Sequence, residues 1–150
     1  MSMFGGIDAA ASGLTAERLR MDVISNNIAN VNTTRTEDGT PFKRRYVVFE
    51  PRDTRDKSFS RILAGEMKGT SQRPGDGVRA VGIEADMSQG KLVYDPGHPD
   101  ANADGYVELP NVNIVNEMVD MITASRAYEA NVTVISAAKS MVNAALNISK

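Results

Sequence analysis

From Asn111 to Lys150 the chain contains neither Gly nor Pro, so nothing interrupts a helix there. Asn113 is placed to cap the first turn. Glu117 and Asp120 lie near the positive end of the helix dipole, with Lys139 and Lys150 toward the negative end. Its apolar residues form two seams. Met118, Met121, Tyr128, Val132, Ile135, Val142 and Leu146 recur at steps near three and four, interrupted by Ser125 and Lys139. Ala124, Ala127, Val134, Ala138, Met141, Ala145 and Ile148 form another, about 100° round the cylinder and small enough in places for a neighbouring backbone to come close. Between Ala130 and Ser149 the only charge is Lys139, yet Asn131, Ser136, Ser140, Asn143 and Asn147 make the run too polar for a membrane span. Such a helix must bury itself in protein.

A second helix is expected near the beginning. Ile7, Ala10, Leu14, Met21, Ile24, Ile28 and Val31 follow heptad spacing, with Glu17 breaking it once and Gly13 as a weak helix former. This face suits one seam of the C-terminal helix. From Ser25 to Thr33, Asn and Ser side chains compete with backbone hydrogen bonds and favour an ending, expected near Asn32. About 35 residues at 1.5 Å each make a C-terminal helix of about 50 Å, too long for one shorter helix to cover on both seams. The second seam is therefore expected to meet another molecule.

The middle differs in composition. All six Pro lie from Pro41 to Pro110, with most of the Gly and aromatic residues. Tyr46 to Phe49, Val78 to Ile83 and Lys91 to Tyr94 are strand candidates bounded by turn signals. The expected fold is α+β. Residues 1–33 and 110–150 form a coiled-coil-like pair of long helices, with a β-rich part at 34–109 that includes a mobile excursion at 52–77. Charge and Cys content narrow the chemistry further. A net charge of −2 gives no general attraction to nucleic acid or acidic lipid, and the absence of Cys excludes thiol nucleophiles and Cys-ligated zinc. The first fifteen residues lack the basic and apolar regions of a secretory signal, with Asp8 where the apolar core belongs.

The candidate reactive groups are sparse. Asp100, Asn102, Asp104 and Gly105 match the opening of a calcium loop, but its twelfth position is Asn111 instead of a bidentate Glu. They read as a side-chain-capped turn. His98, between Gly97 and Pro99, is the only His, and no second His or Gly-x-Ser-x-Gly elbow supports it as a base. Pro74-Gly75-Asp76-Gly77 lacks the Lys-Ser/Thr of a phosphate loop, and Lys43-Arg44-Arg45 reads as a solvated strand face. The chain is accordingly expected to be no enzyme, with no catalytic residue, cofactor or metal. The alternative is a small calcium- or metal-dependent module or hydrolase using the 95–105 loop.

Several stretches carry a family resemblance. Ser12-Gly13-Leu14-Thr15-Ala16-Glu17-Arg18-Leu19-Arg20, followed by the Asn-rich run from Ser25 to Thr33, resembles the N-terminal signature of bacterial flagellar axial proteins, which form rod and hook. The motifs Pro96 to Val107, Pro110 to Asn113 and Ala124 to Val132 resemble the proximal-rod branch of the basal-body rod family. Distal rod and hook relatives usually continue after Asn32-Thr33 with a Gly, an aromatic and a basic residue, whereas Thr34 to Phe42 intervenes here.

The resemblance implies a structural subunit of a hollow drive shaft that transmits torque and passes exported proteins. Its terminal helices would line the inner tube, with the β-rich part outside. Implied partners are copies of itself, other rod proteins and the rod-to-export-gate adaptor, with no nucleic acid and no membrane span. The implied location is the periplasmic rod, reached by export without a cleaved signal. The expected assembly residues are Ile7, Leu14, Met21, Ile24 and Ile28 of the first helix. On the second they are Met118, Met121, Tyr128, Val132, Val134, Ile135, Ala138, Met141, Val142, Ala145, Leu146 and Ile148.

Overall fold

A computed structural model describes residues 3–52 and 77–148. The fold is α+β: helix α1 (Met3–Ala29), strands β1 (Arg45–Pro51), β2 (Val78–Ala85), β3 (Leu92–Tyr94) and β4 (Tyr106–Glu108), then helix α2 (Ile114–Ile148). Of the excursion expected at 52–77, residues 53–76 lie outside the described residues.

Side-chain amides mark the inner ends of both helices. The Asn30 amide donates to the Asn26 carbonyl at 2.9 Å, and the Thr33 hydroxyl donates to Asn30 Oδ1 at 3.2 Å. These bonds turn the chain away after Ala29, three residues before the expected boundary. Asn113 caps α2, its Oδ1 accepting the Val115 N–H at 3.0 Å, so the helix starts at Ile114.

α1 packs against α2 on one side and against β1 and β2 on another. The helix pair is antiparallel: Asn27 meets Glu117, and Gly13 meets Asn131. Its buried apolar residues include Ala10, Ala16, Val23 and Ile24 of α1 with Ala124 and Ala138 of α2. Small side chains let the two backbones approach. A Cβ on Gly13 would lie 2.8 Å from Asn131 Nδ2, tighter than van der Waals contact permits.

β1 and β2 pair antiparallel, Arg45 opposite Ala85 and Pro51 opposite Val78. The register shifts between Val48 and Phe49, which face Gly82 and Ala80, leaving Val81 as the extra residue of a β-bulge. The hairpin is pinned to α1 at Ser12. Its hydroxyl donates to the Ala9 carbonyl at 2.7 Å and accepts the Val78 N–H at 3.0 Å. Gly77 sits against the same side chain at φ 86°, where a side chain would be strained and would collide with Ser12.

β3 and β4 form a separate two-stranded sheet, with Val107 buried and Tyr94 edge-on to Tyr106 at 5.2 Å between ring centroids. Strand β4 was not among the expected strands. Three residues carry too little alternation to register as a strand, and only pairing with β3 defines them.

On β1, the Tyr46 hydroxyl donates to Glu84 of β2 at 3.0 Å. That hydrogen bond, with the carboxylate charge, raises the Tyr46 pKa above its ordinary value. A folded-state pKa above the unfolded one gives a contribution that is complete below about pH 10 and lost as pH rises through the folded value. Ultraviolet titration of the wild type against Tyr46→Phe should show Tyr46 ionising later than an ordinary tyrosine. Glu84→Ala, which removes both the acceptor and the charge, should remove most of the delay. Unchanged ionisation in Glu84→Ala would exclude Glu84 as its cause.

Candidate assembly interface

Where α1, β1 and α2 meet, a polar node replaces apolar packing. Asn27 at the last turns of α1 is fully buried, as is Glu117 in the first turn of α2. The Asn27 amide donates from Nδ2 to the Arg45 carbonyl at 2.7 Å and accepts the Arg45 N–H at Oδ1 at 2.9 Å, as a neighbouring strand would. Nδ2 also donates to Glu117 Oε2 at 2.9 Å. The other carboxylate oxygen accepts Arg44 Nε at 2.6 Å, and Arg44 Nη2 reaches Asp120 at 3.3 Å. Thus a buried charge has both oxygens satisfied, the condition under which burying it is tolerable.

Asn111 extends the node. Its Oδ1 accepts the Arg44 N–H at 2.7 Å, and its Nδ2 donates to the Asp86 carbonyl at 3.0 Å and to Ser88 Oγ at 3.0 Å. The Asp86 pKa is lowered, first by the Ser88 N–H donated at 2.9 Å, then by the Ser88 hydroxyl and the Arg44 charge. Arg44, read from sequence as solvated, therefore lies at the centre of the fold's joint. Lone basic runs and acidic first turns are common, and the Asn-rich end of α1 was the one signal that a polar contact waited there.

The loop from Asp95 to Tyr106 forms a second joint. Thr34 Oγ1 donates to Asp100 Oδ2 at 2.8 Å, and Arg35 stands 3.5 Å from Oδ1. His98 Nδ1 accepts the Asp100 N–H at 3.1 Å, and Asn102 Oδ1 accepts the N–H groups of Asp104 and Tyr106 at 3.0 and 2.9 Å. The Asp100 and Asn102 oxygens that would have opened a calcium loop serve these donors. Among the described residues, no group of three or more His, Asp or Glu side chains is arranged to hold a metal ion. The turn is capped by side chains, with Asn102 as the residue that caps it.

The expected assembly residues divide by exposure. Ile24 and Ala138 are buried within the chain. Ile7, Leu14, Met21, Ile28, Met121, Tyr128, Ile135 and Val142 are half-buried. Met118, Val132, Val134, Met141, Ala145 and Leu146 are exposed, and the Ile148 side chain lies outside the described residues. The buried stripe on α2 runs between the two seams. It takes Met121, Tyr128, Ile135 and Val142 from the first and Ala124 and Ala138 from the second, together with Glu117 and Asn131.

Outside that stripe, α2 presents apolar side chains to solvent. Val115, Met118, Val119 and Ile122 are each 50–64% exposed and share one face of its first turns, and Val134, Met141 and Leu146 continue the exposure toward the far end. Dispersed exposed apolar residues are ordinary, but a cluster on one helix marks a surface that buries itself elsewhere. The outer face of α1 is polar by contrast, with Asp8, Thr15, Arg18 and Asp22. Among the described residues, no helix is long and apolar enough to cross a membrane.

The sequence is similar to those of known proteins. Residues 7–35 match the family described as "Flagella basal body rod protein", and residues 103–148 match "Flagellar basal body rod FlgEFG protein C-terminal". The "Flagellar basal-body rod protein FlgC" of Borreliella burgdorferi is 53% identical, covering 99% of this chain and 98% of its own length. That of Bacillus subtilis is 46% identical over the whole of both chains. An Escherichia coli protein of the same name is 37% identical, covering 95% of this chain and 94% of its own. Identity of this extent, spanning both helices and the strands between them, establishes that the chain belongs to the FlgC-like flagellar basal-body rod protein family.

Proposed function

We propose that the chain is a structural subunit of the flagellar proximal rod and that it joins its neighbours through the outward face of α2. The observation that carries this reading is the exposed cluster Val115, Met118, Val119 and Ile122 on a helix whose other side is already packed on α1. In this reading residues 1–33 and 110–150 belong to the tube and residues 34–109 stand outside it. The exposed residues Met118, Val132, Val134, Met141, Ala145 and Leu146 face neighbouring copies or other rod proteins. The half-buried ones seat α1 on α2. The rod-to-export-gate adaptor meets the first copies, and the subunit arrives in the periplasm by export without a cleaved signal. Its work is mechanical, transmitting torque and leaving a passage for exported chains, and it performs no reaction.

Val119→Arg combined with Ile122→Arg tests the interface. Both positions are exposed in the single chain, so the purified variant should keep wild-type circular dichroism and denaturation midpoint. In the assembly two guanidinium groups would lose water without a partner. Cells carrying the variant should export it, yet lack rods by electron microscopy and fail to swim. Normal swimming at normal protein level would show that this face meets solvent in the rod.

A further inference from the structure

The exposed cluster on α2 cannot build a rod by meeting itself. A patch that pairs with its own copy closes at a dimer, whereas a ring or rod of one chain needs two different patches across every contact. The inference rests on reading the α2 face as an interface between subunits, and concerns what lies across it.

The small sheet β3–β4 supplies a second patch. Leu92 and Tyr94 alternate along β3 and so share a side, on which Tyr106 stands opposite Tyr94. Leu92 and Tyr94 are each 63% exposed and Tyr106 is 43% exposed, while Val107, on the other side of the sheet, is buried. Among the described residues, the sheet packs on neither helix and not on the β1–β2 hairpin. Two strands of three residues are too few to hold with an apolar side left in water, so that side lacks a cover. Pro41, Leu92, Pro99 and Tyr106 border a hollow of about 470 Å³ beside it. The hollow next to Val119 on α2 shares no lining residue with this one, so the two patches are separate places.

The two patches also stand level with one another. Residues 109–113 join β4 to α2, and Asn111 in that link is tied to Arg44, Asp86 and Ser88. Their separation is thereby fixed, at one end of the helix pair. A second copy placed sideways, with no shift along the helices, brings one patch against the other. We propose that the β3–β4 sheet of one copy is the docking site for the α2 cluster of the next, with Met118 and Ile122 entering the hollow beside Leu92 and Tyr106. Tyrosine is a residue type enriched at the centres of protein interfaces. Lys91 and Glu108 flank the sheet, and Asp120 and Arg126 flank the helical cluster, so each rim carries both signs of charge for the other to match. Each copy presents both patches in one fixed geometry, and the contact repeats from copy to copy.

The chain has no Cys, so introduced thiols report on single positions. Leu92→Cys with Ile122→Cys, replacing the wild type in cells, should build rods, because both positions are exposed in the single chain. A short bis-maleimide applied to isolated basal bodies should link copies into a ladder of dimers, trimers and higher multimers. Cells making the two single variants together should give dimers and nothing longer, and either variant alone should give monomer. In the rods, maleimide labelling at both positions should be slower than in the purified chain by about tenfold or more. Tyr94→Cys with Met118→Cys repeats the measurement if the first pair builds no rods. Self-linking of the Ile122→Cys variant alone would overturn the proposal, since the α2 cluster would then meet its own copy. Slow labelling at 122 with fast labelling at 92 would remove the sheet as the docking site and leave the α2 face an interface. Slow labelling at both without a cross-link would also overturn the pairing, because other molecules would cover the two patches. Fast labelling at both would overturn the interface reading as well.

Discussion

Arg44→Ala is expected to destabilise the chain by about 3–5 kcal/mol, the cost of leaving a buried carboxylate without its cation. Glu117 is fully buried, and after the change its Oε1 would face a void, with only the Asn27 amide left on the other oxygen. A domain of ordinary size has about 5–15 kcal/mol in total, so much of the margin would go. Urea denaturation should show the midpoint falling sharply, and cells carrying the variant should be short of protein and non-motile. Glu117→Leu added to Arg44→Ala should restore a large part, since it removes the stranded charge while Asp120 remains at the surface. A loss below about 1 kcal/mol in Arg44→Ala would mean that water reaches Glu117, and the node would not be a buried ion pair.

Ala138→Arg is expected to be similarly severe, and for a reason internal to the chain. Ala138 is 6% exposed and lies on the α2 stripe that faces α1. Overpacking there costs roughly 1–3 kcal/mol, and burying an unpaired guanidinium adds desolvation to it. Met141, three residues on and 57% exposed, supplies the contrast. Met141→Arg should leave the denaturation curve of the isolated chain unchanged and should act only on assembly. If both variants denature at the wild-type midpoint, the distal half of α2 is not packed on α1 in the free subunit.

That contrast also shows what could be read from sequence. Heptad spacing places both helices, helped on α2 by a run without Gly or Pro, because those signals are local. The cap at Asn113 and the turn made by Asn102 were legible for the same reason. The stripe that α2 buries was less so. Ranking residues by hydrophobicity sends Glu117 and Asn131 outward, and it separates Met121 and Tyr128 from Ala124 and Ala138. The true stripe includes all six, since Arg44 and Asn27 neutralise one polar group and the bare backbone at Gly13 makes room for the other. Partners 73 to 118 residues away in sequence supply those compensations, and no local pattern announces them. Strand β4 escaped notice on similar grounds, since only β3 gives its three residues a register.

The way Asn27 holds Arg45 bears on how copies of the chain avoid one another before they are built into anything. The Arg45 N–H and C=O point away from β2, and they are the groups through which a stray strand would begin to add to the sheet. Asn27 occupies both with one amide. On the opposite strand, the bulge at Val81 breaks the even ladder that edge-to-edge stacking requires. The β1–β2 hairpin is thereby guarded against edge-to-edge pairing at two points, one closed by a side chain and one bent out of line. With those two edges closed, the exposed apolar cluster of α2 is a surface through which concentrated, unassembled subunits can associate.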